Sequence, residues 1–242
     1  MARFLLILGC LALAACSAPQ REIPPAGPKS GGGAAQVTPL VDGGDRQQSR
    51  RAARNFIEVV QRVEPVAEAV CRERSPQLDC DFAIVVDDTI NAPPNAFQTV
   101  DETGRPIIAF TIPLILMTRN QDELAFIMAH EAAHHIRDHL SLQRQAANIG
   151  ASVLGQLVGR GDTRAQQAAQ QIGASIGSRI YSKDFELEAD ALGTVITARA
   201  GFDPLQGALF FERIPDPGNL FLGTHPANAE RLATVQRVAA GL

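Results

Sequence analysis

The sequence predicts an α+β fold that is mostly helical and contains a small β-sheet. Long segments repeat apolar residues with a helical period. Only two short runs, 82–86 and 106–112, are instead apolar and rich in β-branched residues, as is typical of strands. Residues 91–105 between them contain adjacent prolines and a glycine, which indicates a loop or a hairpin.

The first predicted helix covers residues 46–70, where Pro65 is expected to kink or divide it. Asn120 is typical of a helix N-cap, and Glu123 three residues later completes the pattern of a capping box. The helix that follows is expected to continue to His139. It contains the residues with the clearest chemical signal.

Four helical segments are predicted after this one, and Asp203-Pro204 opens the third of them. Residues 140–180 are rich in Ala, Gln, Gly and Ile and predict a helical hairpin with its turn near 160–162. Another helix begins at Asp184 and ends at Gly201, a residue type that commonly terminates helices. A last helix is expected after Pro226.

The N-terminus has the pattern of a secretion signal, because Arg3 precedes an apolar run too short for a transmembrane helix of about 20 residues. The run ends in Leu13-Ala14-Ala15-Cys16, which resembles the bacterial lipobox whose cysteine is acylated. The alternative is an ordinary signal peptide with Cys16 at its end by chance. We expect a signal peptide at 1–15 and a lipid on Cys16, and Ser17 after it suggests the outer membrane.

Residues 16–45 are rich in Pro, Gly, Ala and Ser and predict a flexible tether, whereas 46–242 can form one domain with a core. The net charge is −4, and the chain has one Tyr and no Trp. Nucleic-acid binding through basic patches and stacked bases is therefore not expected.

Cys71 and Cys80 are the two cysteines of the predicted domain. In an oxidising periplasm we expect them to form a disulfide. The alternative is a pair of buried free thiols. A zinc-binding pair is disfavoured because no CxxC motif or neighbouring histidine accompanies them.

The segment His130-Glu131-Ala132-Ala133-His134 has the pattern His-Glu-x-x-His within a predicted helix. At about 100° per residue the two histidines lie one turn apart, so both can bind one metal ion at about 2.0–2.1 Å. Glu131 could then take a proton from a metal-bound water. An ordinary amphipathic helix can carry the same pattern by chance.

A second acidic element strengthens the metal-site interpretation. Glu186 and Asp190 share one helix face, while Glu188 points about 160° away from Glu186. Ala189 and Gly193 would allow close approach of the two helices. We expect Glu186 to be the third ligand of one Zn²⁺ per chain and Asp190 to accept the remaining N–H of a ligand histidine. The alternative is a solvated acidic face.

These elements resemble the HtpX-like zinc metallopeptidases, which include the CAAX prenyl endoprotease and the Oma-type proteases. The resemblance extends from about residue 91 to the end and rests on Asp122-Glu123-Leu124-Ala125, the His-Glu-x-x-His helix, the Glu-x-x-Ala-Asp-x-x-Gly helix, and Thr224-His225-Pro226 with Arg231. It implies a gluzincin-like zincin domain with His130, His134 and Glu186 as zinc ligands and Glu131 as the catalytic base.

Unlike the integral-membrane members, this chain is expected to be a stand-alone periplasmic lipoprotein without transmembrane helices, so a prenyl-protein substrate is not expected. Family and location together imply hydrolysis of misfolded or unassembled envelope proteins at the outer membrane. We expect strand 106–112 to be the edge to which an extended substrate adds.

Several residues near the predicted site keep more than one interpretation. His225 could stabilise the oxyanion, occupy the open zinc position, or cap the helix after Pro226. Arg231 could orient the substrate or anchor the loop that contains His225. His135 and His139 are expected not to be ligands.

A rival hypothesis is a chaperone-like or scaffolding lipoprotein that binds the outer-membrane assembly machinery and has a silent protease site. The hairpin at 140–180 is the feature that such a partner could bind. Alternatively, this hairpin packs over the catalytic core.

Overall fold

The computed structural model describes residues 43–158, 163–180, 182–215 and 226–242. It confirms a mostly helical α+β domain with a small sheet. The predicted signal peptide, most of the tether including Cys16, the predicted turn of the hairpin and His225 lie outside the described residues.

The described elements follow the predicted order. The helices are α1 (Gly43–Arg74), α2 (Ile112–Met117), α3 (Gln121–Ile136), α4 (His139–Val158), α5 (Thr163–Ile180), α6 (Ser182–Arg199), α7 (Pro204–Ala208) and α8 (Asn228–Ala239), with a short 3-10 helix at Leu209–Glu212. The strands are β1 (Ala83–Asp87), β2 (Ala96–Val100) and β3 (Pro106–Thr111).

The sheet corrects the prediction about its edge. Its strand order is β1-β3-β2, with β1 parallel and β2 antiparallel to β3. The prediction that 106–112 is an edge strand is therefore wrong, because β3 pairs on both sides. The edge near the candidate site is β2, which forms a hairpin with β3. Asp101 closes that hairpin by accepting hydrogen bonds from the backbone N–H groups of Thr103 and Arg105.

Helix α1 continues through Pro65 and is not divided by it. Val59 and Val63 before the proline, and Val70 after it, are fully buried on one stripe. Pro65 itself is exposed on another face. Burial of the shared stripe therefore holds both halves of α1 against the same core. At the end of α1, Cys71 is joined to Cys80 by a disulfide bond.

Helix α3 is the central helix and is buried along most of its length. As predicted, Asn120 Oδ1 accepts a hydrogen bond from the backbone N–H of Glu123 at 2.8 Å. The reciprocal half of the capping box differs, because the Glu123 carboxylate accepts from the backbone N–H of Arg119 and pairs with Arg213. The helix ends at Ile136 and not at His139 as predicted, because Asp138 adopts a left-handed backbone (φ 56°) before α4 begins.

Helices α4 and α5 form the predicted hairpin and pack chiefly against one another. Their contacts with the rest of the domain are few and involve mainly α3 and α6. Of the alternative that the hairpin packs over the catalytic core, the structure shows contact at the first turns of α4, where His139, Leu140 and Gln143 line the cleft, while most of the hairpin packs against itself. In the part of the chain that the structure describes, no helix combines the length and hydropathy needed to cross a membrane.

Candidate metal centre

Close packing of α6 on α3 builds the site. A Cβ atom added at Gly193 would lie 3.1 Å from both the backbone nitrogen and the Cα of His130. Ala189, one turn earlier on α6, is fully buried. Small side chains at these positions let the two backbones approach, so that Glu186 on α6 reaches the histidines of α3.

The structure brings the three predicted ligands together. The Nε2 atoms of His130 and His134 lie 3.0 Å apart, and Glu186 carboxylate oxygens lie 3.5 Å and 3.3 Å from them. Ligand atoms at about 2.0–2.1 Å from a tetrahedral zinc ion are about 3.3 Å from one another. Two imidazoles and one carboxylate also form a donor set that catalytic zinc uses. The residues therefore fit a zinc ion.

A buried carboxylate and a buried guanidinium lie behind His130. Asp190 Oδ1 lies 2.9 Å from His130 Nδ1, as expected for a residue that orients this ring. Arg231 donates to both Asp190 oxygens, from Nε at 2.8 Å and from Nη2 at 2.7 Å. Burial raises the pKa of Asp190, but hydrogen bonds from Arg231 and His130 outweigh it and hold that pKa below its ordinary value.

The guanidinium of Arg231 also contacts the candidate ligands. Its Nη2 lies 3.4 Å from a Glu186 oxygen, and its Cζ lies 3.9 Å from the ring centroid of Phe211.

Burial lowers the pKa of His130, but hydrogen bonds with Asp190 and Glu186 outweigh it and raise that pKa to about 10. The raised pKa favours the doubly protonated, charged ring of His130 when no metal ion is bound, and a metal ion at Nε2 has to displace the second proton.

The contact between His134 and His139 was not predicted from the sequence. Its Nδ1 lies 2.9 Å from Nδ1 of His139, whose own Nε2 lies 3.4 Å from a Glu188 oxygen. The ring of His139 stacks on Phe185 with centroids 4.3 Å apart. Burial, followed by the Coulombic effects of His134 and Arg137, lowers the pKa of His139 to about 3, so this imidazole is neutral.

Only a weak sequence signal marked His139, a histidine five positions after a candidate ligand. The structure places its ring against His134 and not among the three ligand atoms. His135 lies elsewhere, with Nε2 2.7 Å from the carbonyl oxygen of Asp79 and its ring edge-on to Phe82.

The three candidate ligands line a cleft of about 710 Å³. Glu131 lines it as well and is half-buried. One wall is the segment Pro94–Gln98, which includes the start of the edge strand β2. The other walls come from α2, α3, the start of α4, α6, the region around the 3-10 helix, and Arg231 of α8. A peptide in this cleft would thus meet Glu131, the ligand set and a strand edge together.

A helix-borne His-Glu-x-x-His motif completed by a glutamate from a second helix defines a metallopeptidase site. The model of peptidase family M48 matches residues 53–239, so this chain belongs to that family of metallopeptidases. The membership confirms the resemblance to HtpX-like and Oma-type enzymes that the motifs indicated.

Three relatives show similarity over part of their length. "Mitochondrial metalloendopeptidase OMA1" of Schizosaccharomyces pombe is 27% identical over 149 residues, which are 59% of this chain and 43% of the relative. The Saccharomyces cerevisiae protein of the same name is 30% identical over 156 residues, which are 60% of this chain and 44% of the relative. "Putative beta-barrel assembly-enhancing protease" of Vibrio cholerae is 32% identical over 141 residues, which are 52% of this chain and 29% of the relative. The chain spans less than half the length of each relative.

Proposed function

We propose that this protein is a zinc-dependent endopeptidase that hydrolyses peptide bonds in misfolded or unassembled proteins of the bacterial envelope. The observation that carries the proposal is the spacing of His130, His134 and Glu186, whose ligand atoms lie 3.0–3.5 Å apart in an open cleft. Glu131 lines the same cleft.

Each residue of the candidate site has its own role in peptide hydrolysis. When bound, zinc supplies Lewis-acid polarisation of the scissile carbonyl and lowers the pKa of a water molecule. The Glu131 carboxylate takes a proton from the attacking water and returns it to the leaving amine. Asp190 and Arg231 hold the ring of His130 in orientation, and His139 does the same for His134.

The edge strand β2 offers a place for an extended substrate. Main-chain hydrogen bonds to β2 would align a peptide along the cleft without reading most of its side chains. Such pairing requires an extended segment, which unfolded or unassembled proteins present and folded proteins do not. Weak sequence selectivity then suits a quality-control enzyme.

The proposed location rests on the N-terminal sequence and on one relative. The pattern ending in Cys16 supports a lipid anchor in the outer membrane. The Vibrio cholerae relative is named for the assembly of β-barrels, which are outer-membrane structures. We therefore include the outer-membrane assembly machinery among the candidate partners.

The test is digestion of casein by the purified full chain, with its zinc content measured in parallel. Zinc-loaded protein is expected to cleave casein, a chelator to stop cleavage, and added zinc to restore it. Glu131→Gln is expected to retain zinc and lose nearly all cleavage, because a neutral amide cannot take the proton. Zinc-loaded protein that leaves casein intact would favour the chaperone or scaffold hypothesis, and substantial activity in Glu131→Gln would exclude Glu131 as the base.

A further inference from the structure

The α4–α5 hairpin exposes large apolar side chains outside the candidate metal centre. Ile149 and Val153 on α4 are 65% and 52% exposed, and Ile172 and Ile176 on α5 are 57% and 38% exposed. Single exposed apolar residues are common on protein surfaces, but several on one small element indicate an interaction site. These four side chains form an interaction site only if they share one face of the hairpin.

The contacts between α4 and α5 place them on one face. A Cβ added at Gly150 would lie 2.1 Å from the carbonyl oxygen of Gly173, and a Cβ at Gly177 would lie 2.1 Å from that of Ala146. The helices therefore touch backbone to backbone and run antiparallel.

The exposed residues keep a constant position relative to these contacts. Ile149 precedes the contact residue Gly150 by one position, and Ile172 and Ile176 precede Gly173 and Gly177 in the same way. One position corresponds to a rotation of about 100° around the helix axis. In an antiparallel pair of right-handed helices, the residues one position before the contact residues therefore lie on the same side of the pair. Val153 lies one turn beyond Ile149 and extends the stripe. The four side chains thus form one surface, termed here the hairpin face.

The charge of the hairpin favours one kind of partner. The described residues of α4 and α5 contain Arg144, Arg164 and Arg179 and no aspartate or glutamate, although the whole chain has a net charge of −4. Arg179 lies seven positions after Ile172 and so continues the stripe of the hairpin face. Arg144 and Arg164 lie on other sides of the hairpin, so among these three it is Arg179 that puts positive charge at the hairpin face. An apolar stripe bordered by arginine is typical of helices that lie on anionic lipid surfaces.

We propose that the hairpin face, formed by Ile149, Val153, Ile172 and Ile176, lies on an anionic phospholipid surface. A second copy of the chain is a poorer occupant, because pairing two hairpins would bring positive charge against positive charge. The hairpin starts at the cleft, which Leu140 and Gln143 line. Docking would therefore hold the cleft beside the membrane. Which substrates the protein cleaves there rests on the proposed function, whereas the docking itself does not.

The test uses the full chain on vesicles of phosphatidylethanolamine and phosphatidylglycerol that contain a photoactivatable phospholipid. After illumination, mass spectrometry maps the lipid label, so an N-terminal anchor and the hairpin are distinguished. We expect label on peptides containing Ile149 or Ile172. The double variant Ile149→Ser with Ile172→Ser is expected to lower that label at least about tenfold, because two branched apolar groups are lost.

Ile57→Ser is the matched control, since Ile57 on α1 is also an isoleucine that is 55% exposed. It is expected to leave hairpin labelling unchanged. Equal labelling on phosphatidylcholine vesicles would overturn the requirement for anionic lipid. Labelling confined to other parts of the chain would overturn the proposal, as would cross-linking that shows a second copy or residues 1–42 covering the hairpin face. Proteolysis is not a readout, so failure here is separate from failure of the proposed function.

Discussion

The ring of His139 lies against that of His134, with 2.9 Å between their Nδ1 atoms. The two candidate histidine ligands are therefore held differently, His130 by the carboxylate of Asp190 and His134 by a neutral imidazole. Groups in this position orient ligand rings and select the tautomer that binds metal. We therefore expect His139 to position His134 in the candidate site.

The first prediction concerns His139. His139→Ala is expected to weaken zinc affinity about 10- to 100-fold, because His134 loses the partner that orients its ring. Competition with a chromogenic chelator measures the affinity. His139→Gln is the conservative control and should recover part of the loss, since its amide can still accept a hydrogen bond. Unchanged affinity in His139→Ala would show that the contact does not position His134.

A second prediction separates two glutamates of α6. Glu186→Gln should lower zinc content sharply, because a neutral amide is a poor zinc ligand. Glu188→Gln should have little effect on content, since Glu188 is half exposed and its nearest site contact is His139 at 3.4 Å. Metal analysis of both purified variants provides the measurement. Similar zinc loss in the two variants would contradict the assignment of Glu186 as the ligand.

The third prediction concerns the contact of Gly193 with α3. Gly193→Ala places a Cβ 3.1 Å from the backbone of His130 and should push α6 away from α3. We expect a loss of about 1–3 kcal/mol in the free energy of unfolding, typical of overpacking, together with lower zinc content. Denaturant unfolding and metal analysis give the two values.

Gly241→Ala is the control for that substitution, because its added Cβ would meet its nearest neighbour at an ordinary 3.5 Å. It should change neither stability nor zinc content appreciably. If Gly193→Ala also left both unchanged, the close approach of the helices would not be what places Glu186.

The fourth prediction is a titration of the metal-free protein. The pKa of His130 is raised from 6.5 to about 10, so its ring should stay protonated at pH 8. Because the folded-state pKa is the higher one, the stabilisation is complete below about pH 6.5 and is lost as the pH rises through about 10. Histidine resonances followed by NMR against pH measure this directly.

Asp190→Asn is the matched variant for the titration, because it removes the charge that accepts a hydrogen bond from His130 Nδ1. The pKa of His130 is expected to fall in this variant. A His130 that titrates near 6.5 in the unsubstituted protein would show that the carboxylates do not outweigh burial.

The sequence alone determined the features that depend on short-range periodicity. The two histidines of His-Glu-x-x-His lie one turn apart in any α-helix, so their shared face follows from spacing. The start of α3 and the end of α6 were also predictable, since Asn120 and Gly201 carry local capping signals. The resemblance to known metallopeptidases depended on the same local motifs.

Which elements meet depends on long-range packing. Strand order made β2 and not 106–112 the edge beside the cleft, and a left-handed Asp138 turned His139 back onto His134. The exposure of Ile149 and Ile172 likewise depends on where the hairpin packs. These contacts join residues from different elements, so a local periodicity cannot predict them. They follow from the packing of the whole chain, in which the pairing of strands and the approach of helices are settled together.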